Sequence, residues 1–364
     1  MNASTSLTSS VADIPGSRRI VTLEVPEAWF RDPEDGQRHR LFYSSLLAAL
    51  ADLDVLLDPV WLPRGAERAP RPDRARDVTI SFHSHGQTGN ILRCKEAYVS
   101  PYYTMDRMGY ACFSELACYP ERFVDEIGRQ DAKRASAFVR TLAQELRKEN
   151  QSKYYQPEQG THHEPGYFFI PLQIENDSVA KGLWLDKFKA VRCIVEAAAA
   201  QGSRIVIKRH PRCKSRAISD LLAELSQRPN VLLSDASIHT LVAGARLVVG
   251  ANSGVLFESL IQGKPVISYA ASDFGQATQQ VRTYDELARA IAAPAVPDPG
   301  FRDRFLFWYL TEYCVRTDDI ATMKRKIRAL LDNGARNRNG VSGRAYRYRL
   351  YAYSLADRLR KRLF

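Results

Sequence analysis

The sequence predicts an α/β fold of two Rossmann-like halves, and three observations predict it. Short β-branched runs, RIVIK (204–208), LVVG (247–250) and PVIS (265–268), alternate with stretches of helical apolar spacing. That alternation is the pattern of parallel strands joined by crossover helices. Polar residues gather where the runs stop, at Arg209-His210-Pro211 and at Asn252-Ser253. An earlier set of runs, RRIVTLEV (18–25), VLLDPVWL (55–62) and DVTISFHSHG (77–86), supplies strands for a first half. A chain of 364 residues has room for two cores.

Residues 1–18 are Ser/Thr-rich and predict disorder. The first half spans 19–160, with a helix over 40–53 and a proline-punctuated loop at 67–77. His83 and His85 alternate, so they share a face if their strand continues that far, yet no third ligand at useful spacing makes them a metal site. Residues 91–117 are dense in tyrosine, with Glu96, Asp106 and Arg107 among the rings and a helix opening near Gly109; rings and carboxylates together suit either a sugar site or a tyrosine-rich core edge. FVDEIGRQDAKRASAFVRTLAQELRKEN (123–150) reads as one long amphipathic helix, and the Gly/Pro-containing stretch 152–166 as the domain boundary.

The second half spans 165–300. YFFIPL (167–172) is a buried strand that delivers Gln173, Glu175, Asp177 and Ser178 at its carboxyl end, and a helix follows over 183–200. Asp235 reads as an N-cap, with His239 on the helix behind it. After LVVG, Asn252 and Ser253 cap a helix, VLFESLIQ, that closes at Gly263. A short helix follows at 283–293, then helices at 301–315 and 319–333 that cross back to the first half. The tail 343–364 interleaves Arg with Tyr and ends in a basic amphipathic helix, suited to a membrane interface, a nucleic-acid backbone or plain solvent.

In an open parallel sheet, ligands sit beyond the carboxyl ends of strands, where helix N-termini present free N–H groups. His210, Ser253 and the first turn of the helix at 254–262 therefore surround one crevice, suited to a nucleotide phosphate. Glu258 favours the helix dipole in any case and can also accept hydrogen bonds from ribose hydroxyls. Lys208, Arg209 and Arg212 add positive potential; Lys208 and His210 share a face if the strand persists. The net charge of +11 and pI near 9.4 favour anionic partners. Six cysteines show no C-x-x-C pair, the N-terminus has no basic or apolar leader region, and no apolar run approaches a span. The expectation is a cytoplasmic protein.

Two α/β halves with a nucleotide crevice in the second resemble the GT-B glycosyltransferases. His210-Pro211 and Asn252-Ser253-Gly254 are similar to the HP and Ser motifs of CMP-sugar-dependent transferases, such as bacterial sialyl- and Kdo-transferases, whose histidine and serine hold the CMP phosphate. Pro171-Leu172-Gln173 followed by Asp177-Ser178 is similar to a glutamine–aspartate–serine segment of the β-Kdo transferases of capsule and O-antigen assembly. The run Tyr103 to Tyr110, with Ser114-Glu115, resembles the acceptor-domain motif of the O-antigen type. Where capsule-type enzymes show Glu-Asp-Gly, this chain has Glu96-Ala97-Tyr98.

The resemblance implies transfer of Kdo from CMP-Kdo to a saccharide acceptor, lipid-linked or free, with retention and with no metal or other cofactor. His210, Ser253 and the helix N-terminus would stabilise the leaving phosphate, Asp177 would be the nucleophile, and Asp106 the reserve nucleophile or the base. Contact with the inner face of the membrane would run through the basic tail, and nucleic acid is not an expected partner. Two rivals stay open at this point. One is an NDP-sugar epimerase of the same build, the other a non-enzymatic RNA- or membrane-binding module.

Overall fold

The computed structural model describes residues 19–31, 36–53, 55–65, 78–87, 89–158, 160–161, 163–175, 177–295, 297–334 and 342–363. The first 18 residues and the loop at 67–77 lie outside them. In the first part of the chain come β1 (Arg19–Pro26), α1 (Glu27–Arg31), α2 (Gly36–Ala51), β2 (Val55–Leu62), β3 (Val78–Phe82), β4 (Ile91–Glu96), β5 (Tyr102–Asp106), α3 (Glu115–Cys118), α4 (Val124–Gly128) and α5 (Ala132–Lys148). Then follow β6 (Tyr167–Pro171), α6 (Lys187–Ala199), β7 (Ile205–Lys208), α7 (Arg216–Leu225), β8 (Val231–Leu233), α8 (Ile238–Gly244), β9 (Ala245–Gly250), α9 (Gly254–Ile261) and β10 (Val266–Ser268). The chain continues through β11 (Gln279–Gln280), α10 (Tyr284–Ala292), α11 (Pro299–Trp308), β12 (Cys314–Arg316), α12 (Ile320–Gly334) and α13 (Ser342–Leu363).

These elements form two compact units, one of Met1–Phe82, Gln87–Leu92 and Thr317–Phe364, the other of His83–Gly86 and Arg93–Arg316. In the first unit β1 pairs in parallel with β2 on one side and β3 on the other. Pro59 is tolerated in β2 because that strand is the sheet edge. Trp29 meets Phe82 edge-on at 4.7 Å, and α12 returns to pack on α2 and β3.

The second unit holds a six-stranded sheet in the order β11-β10-β9-β6-β7-β8, with every pairing parallel. Alternate side chains enter opposite cores, as strand geometry requires. Phe169, Val206, Val248 and Val266 pack with Leu241, Leu256, Phe257, Leu260 and Phe305, under α8, α9 and α11. Phe168, Ile170, Ile207, Val249 and Ile267 pack with Val191, Ile194, Leu222, Leu287 and Ile291, under α6, α7 and α10. With both faces covered, the central β6 is buried at all five positions. From β6 the chain runs outward through β7 and β8, then returns to place β9 on the other side of β6. The carboxyl ends of β6 and β9 thus flank a topological switch point. The same unit carries β4 from Arg93 onward, with β5 and β12, as an antiparallel ribbon, with Arg93 opposite Asp106 and Cys314 opposite Thr104.

Several local expectations are corrected. The stretch 123–150 is two helices: α4 stops at Gly128, and α5 restarts behind Asp131, whose carboxylate accepts from Arg134 N at 2.7 Å. An Asp that bonds the backbone ahead of it favours a cap over a helix interior, which overrides the apolar periodicity. The N-cap of α8 is Ser237, accepting from His239 N at 3.2 Å, in place of Asp235. His83 adopts φ 53°, which ends β3 at Phe82, so His83 and His85 share no strand face. Residues 91–106 form a hairpin, and past Gly109 there is a single 3-10 turn before α3. The expected helix at 301–315 ends at Trp308, passes through a π turn and becomes β12. Among the described residues no helix is long and apolar enough to cross a membrane.

Replacing Asp131 by Ala leaves the first turn of α5 uncapped. We expect a loss of about 1 kcal/mol, seen in thermal unfolding as a fall of roughly 2–4 °C in Tm, with no change in ligand binding.

Candidate functional site

Asn252 follows β9 directly and is 2 % exposed. Its Nδ2 donates to Val179 O at 3.0 Å and to Ala271 O at 2.9 Å, while its Oδ1 accepts from Gln173 Nε2 at 2.8 Å. One side chain therefore joins the loop after β6 to the turn after β10, across the switch point. Ser253 is next and caps α9, accepting from Val255 N at 3.3 Å. Gly254 opens that helix, and a Cβ there would stand 3.4 Å from the Tyr98 ring. The helix N-terminus so presented is the standard setting for an anion.

β7 ends at Lys208, so the face expected to be shared by Lys208 and His210 does not extend to the histidine. Lys208 turns aside, its Nζ donating to Asp235 O and Ala236 O at 2.7 Å each. Arg209 is anchored on Ser219 Oγ and Ser215 O, at 3.0 and 2.9 Å. His210 remains at the strand end. Its Nδ1 accepts from Arg212 N at 3.1 Å, which leaves the proton of the neutral ring on Nε2. Tyr154 stands edge-on to that ring at 4.8 Å, and the Arg212 guanidinium lies 5.3 Å from the Tyr154 ring. Burial lowers the His210 pKa, Asp177 opposes the shift, and Arg212 and Lys153 add to it. An anion in the site would reverse that balance and draw the proton on. Pro211 and Arg212 are exposed.

Asp177 is exposed and caps the turn Ser178–Gly182, with its Oδ1 3.3 Å from Ser178 Oγ. Ser178 Oγ lies 3.0 Å from the Tyr110 hydroxyl, which links the loop after β6 to the tyrosine-rich stretch. Glu96, at the end of β4, pairs with Lys153 at 2.8 Å and with Lys95 at 3.4 Å.

The other carboxylates point inward. Glu258 is 2 % exposed; its Oε1 accepts from Ser152 Oγ at 2.8 Å, while its Oε2 has no hydrogen-bond partner among the described residues and His239 Nε2 stands 3.9 Å away. Burial pushes its pKa up to about 8. Asp106 accepts from Met108 N and Gly109 N at 2.6 Å each, from Glu115 N at 3.0 Å and from the Tyr313 hydroxyl, so its lone pairs hold the 107–115 loop. Burial raises its pKa all the same.

Gln173, Asp177, Ser178, His210, Arg212, Asn252, Ser253 and Gly254 thus lie on the loops at the carboxyl ends of β6, β7 and β9. Lys208 and Asp106 are engaged elsewhere, and Glu258 sits on the buried side of α9. Sequence reasoning passed over Asp273. It is buried, bonded by the Tyr98 hydroxyl at 2.6 Å and the Tyr309 hydroxyl at 2.9 Å, and burial pushes its pKa up to about 6. No spacing announces a contact between residues 175 and 36 positions apart.

Comparison with known proteins fits this geometry. A family model described as capsule polysaccharide biosynthesis protein matches residues 127–278, which include the crevice loops. Protein FixF of Sinorhizobium fredii (strain NBRC 101917 / NGR234) is 31% identical over 161 residues. That match covers 42% of this chain and 39% of FixF, well short of two thirds of the relative. Among solved structures, the beta Kdo 2,4 transferase of Thermosulfurimonas dismutans KpsC is similar over 84% of this chain and 98% of its own, with a TM-score of 0.50 at 14% identity. The beta Kdo 2,7 transferase of the same KpsC covers 85% of this chain and 100% of its own, at 12% identity and a TM-score of 0.47. The expected mixed α/β GT-B fold is shown by the two sets of parallel strands and the first of these likenesses. The capsule-family match supports the resemblance drawn from His210-Pro211 and Asn252-Ser253-Gly254.

Glu258 gives a pH test. Its folded pKa, about 8, lies above the ordinary 4.5, so the fold favours the protonated form. Stability is complete below the ordinary value and is lost as pH rises through the interval up to the folded one. In Glu258→Gln the loss is absent. The Tm of the variant minus that of the wild type should grow from pH 4.5 to pH 8 and level off above, and a difference independent of pH contradicts the assignment.

Proposed function

We propose that the chain is a glycosyltransferase that moves Kdo from CMP-Kdo to a saccharide acceptor in bacterial O-antigen or capsule polysaccharide assembly. The observation that carries the reading is the Gln173–Asn252 bond across the switch point, with Asp177-Ser178 on one side of it and the Ser253 cap on the other. Sugar nucleotides suit that position by their charge and length. The match to a capsule polysaccharide biosynthesis model supports the same class of reaction. In this reading residues 165–300 bind the donor, 19–160 serve the acceptor, and 301–364 cross back.

CMP leaves as a phosphate monoester, which calls for charge stabilisation and little acid catalysis. Ser253, the first N–H groups of α9 and His210 in its cationic form supply it, with Arg212 adding potential. Asp177, the exposed carboxylate at the end of β6, attacks the anomeric carbon as the C–O bond to phosphate breaks, giving a glycosyl ester and free CMP. An acceptor hydroxyl then displaces Asp177 from the opposite face, and its proton passes to a base, for which Glu96 is the candidate. Two inversions give net retention. The donor supplies its own leaving group, so no metal or other cofactor enters these steps. Asp106, with its lone pairs committed to the 107–115 loop, acts as a scaffold. Glu258 would turn toward the ribose when the donor binds.

The donor reaction places the protein in the cytoplasm. We assign peripheral membrane contact to α13, where exposed Leu355, Leu359 and Leu363 recur every fourth residue beside Arg358, Arg360, Lys361 and Arg362.

Release of CMP from CMP-Kdo, run beside UDP-sugars with a panel of deoxy-sugar and hexosamine acceptors, tests the reading. Acceptor-dependent CMP release is expected, and Asp177→Asn should lower kcat by about 10³-fold or more. Turnover of a UDP-sugar without acceptor, and none of CMP-Kdo, would replace the proposal with an epimerase.

A further inference from the structure

The stretch after α5 reads in sequence as a connection, yet three successive residues in it meet two residues of the proposed donor site, Glu258 and His210, and the proposed base, Glu96. Ser152 Oγ donates to Glu258 Oε1 at 2.8 Å, the Lys153 ammonium lies 2.8 Å from Glu96 Oε2, and the Tyr154 ring stands edge-on to His210 at 4.8 Å. Tyr154 also lies under Arg212. The segment is fastened on both sides of these contacts. Asn150 accepts from Ser237 Oγ at 2.5 Å, His239 Nε2 bonds Gln151 O at 2.7 Å, and Gln156 Oε1 accepts from Ile238 N at 3.0 Å. With the side chains of Asn150 and Gln156 and the carbonyl of Gln151 all held, the residues between have little freedom.

We propose that Ser152-Lys153-Tyr154 is a wall of the donor site, and that Lys153 is a donor-binding residue that pairs with an anionic oxygen of the sugar nucleotide. The inference rests on the donor reading above and adds to it a residue that no motif marks. Ser152 and Tyr154 set the backbone so that the intervening side chain projects from the same strap that meets His210. The Lys153 side chain is partly exposed, at 31%, against 11% for that of Glu96, so solvent and ligand can reach it. The proximity has an electrostatic consequence: Lys153 is one of the charges that hold the His210 pKa down. A cation that repels the protonated form of His210 faces the anion that this histidine would bind. A CMP-ulosonic acid carries two such anions, the phosphate and the sugar carboxylate, and both present the same chemistry to a lysine. An ammonium shared between Glu96 and the donor would also couple donor binding to the state of that carboxylate, since drawing Lys153 away makes Glu96 a stronger base.

The test compares wild type with Lys153→Gln, Lys153→Arg and Tyr154→Leu, measuring kcat and KM for CMP-Kdo, Kd for CMP by calorimetry, and Tm. Lys153→Gln should raise KM for CMP-Kdo by about tenfold or more, the worth of one charge-assisted hydrogen bond. Its Tm should stay within a degree or so of wild type, and Lys153→Arg should recover most of the loss. A matching rise in Kd for CMP assigns Lys153 to the phosphate; an unchanged Kd assigns it to the carboxylate. Tyr154→Leu, which keeps the ion pair, should also raise KM, and it serves as the probe if Lys153→Gln does not fold. Wild-type KM and Kd in both Lys153→Gln and Tyr154→Leu would overturn the inference while leaving the donor reading intact. Wild-type protein that binds no CMP and turns over no CMP-Kdo would overturn that reading, and the inference with it.

Discussion

The amide of Asn252 is the constraint on which the rest of the site depends. Parallel strands β6 and β9 lie side by side, and the loops leaving β6 and β10 meet through backbone bonds from Ala271 N to Gly182 O at 2.9 Å and from Trp184 N to Tyr269 O at 3.1 Å. A single buried side chain adds the tie to the end of β9, spending two donors on Val179 O and Ala271 O and its acceptor on Gln173. The loop that carries Asp177 and Ser178, the cap that carries Ser253, and the turn after β10 are thereby set against one another. Because Asn252 is 2 % exposed, an unmade bond there would cost desolvation with no water to compensate. A planar amide suits the task because it offers donor and acceptor at fixed geometry.

Around that constraint the acidic groups divide by burial. Asp177 stays in solvent. Asp106, Asp273 and Glu258 are buried, and burial raises the pKa of each. The first two are surrounded by hydroxyl and amide donors, which makes them anchors: Asp106 for the loop behind β5, Asp273 for the packing of Tyr98 and Tyr309. Glu258 differs, with one oxygen held by Ser152 and the other left without a hydrogen bond among the described residues. It is a buried carboxylate of α9 with spare acceptor capacity. The basic groups show the same division, with Lys208 committed to backbone carbonyls while His210 engages the backbone through Nδ1 alone.

The strands of the second unit were legible in sequence because a short continuous apolar run ending in polar residues marks a strand covered on both faces, and β6, β7, β9 and β10 fall where those runs lie. The polar residues at their ends were legible for the same reason, since a parallel sheet gives its carboxyl ends a special role. What escaped depends on competition or on distance along the chain. At Gly128–Asp131 a local cap defeats the helical period, and at Ser237 a hydroxyl outcompetes the carboxylate two residues before it. His83 could be placed only once its positive φ was seen. The Asp273–Tyr98 pair and the contacts of Ser152, Lys153 and Tyr154 join segments far apart in sequence, where no pattern of spacing operates.

Hydrogen exchange on the whole chain, with and without CMP and with UMP as control, tests most directly that the β6–β9 switch point is a cytidine nucleotide site. Protection should appear in CMP at residues 173–179, 208–213 and 251–258, together with 152–154, and should be weaker with UMP. Protection confined to other segments, or none at concentrations that support turnover, would contradict the account.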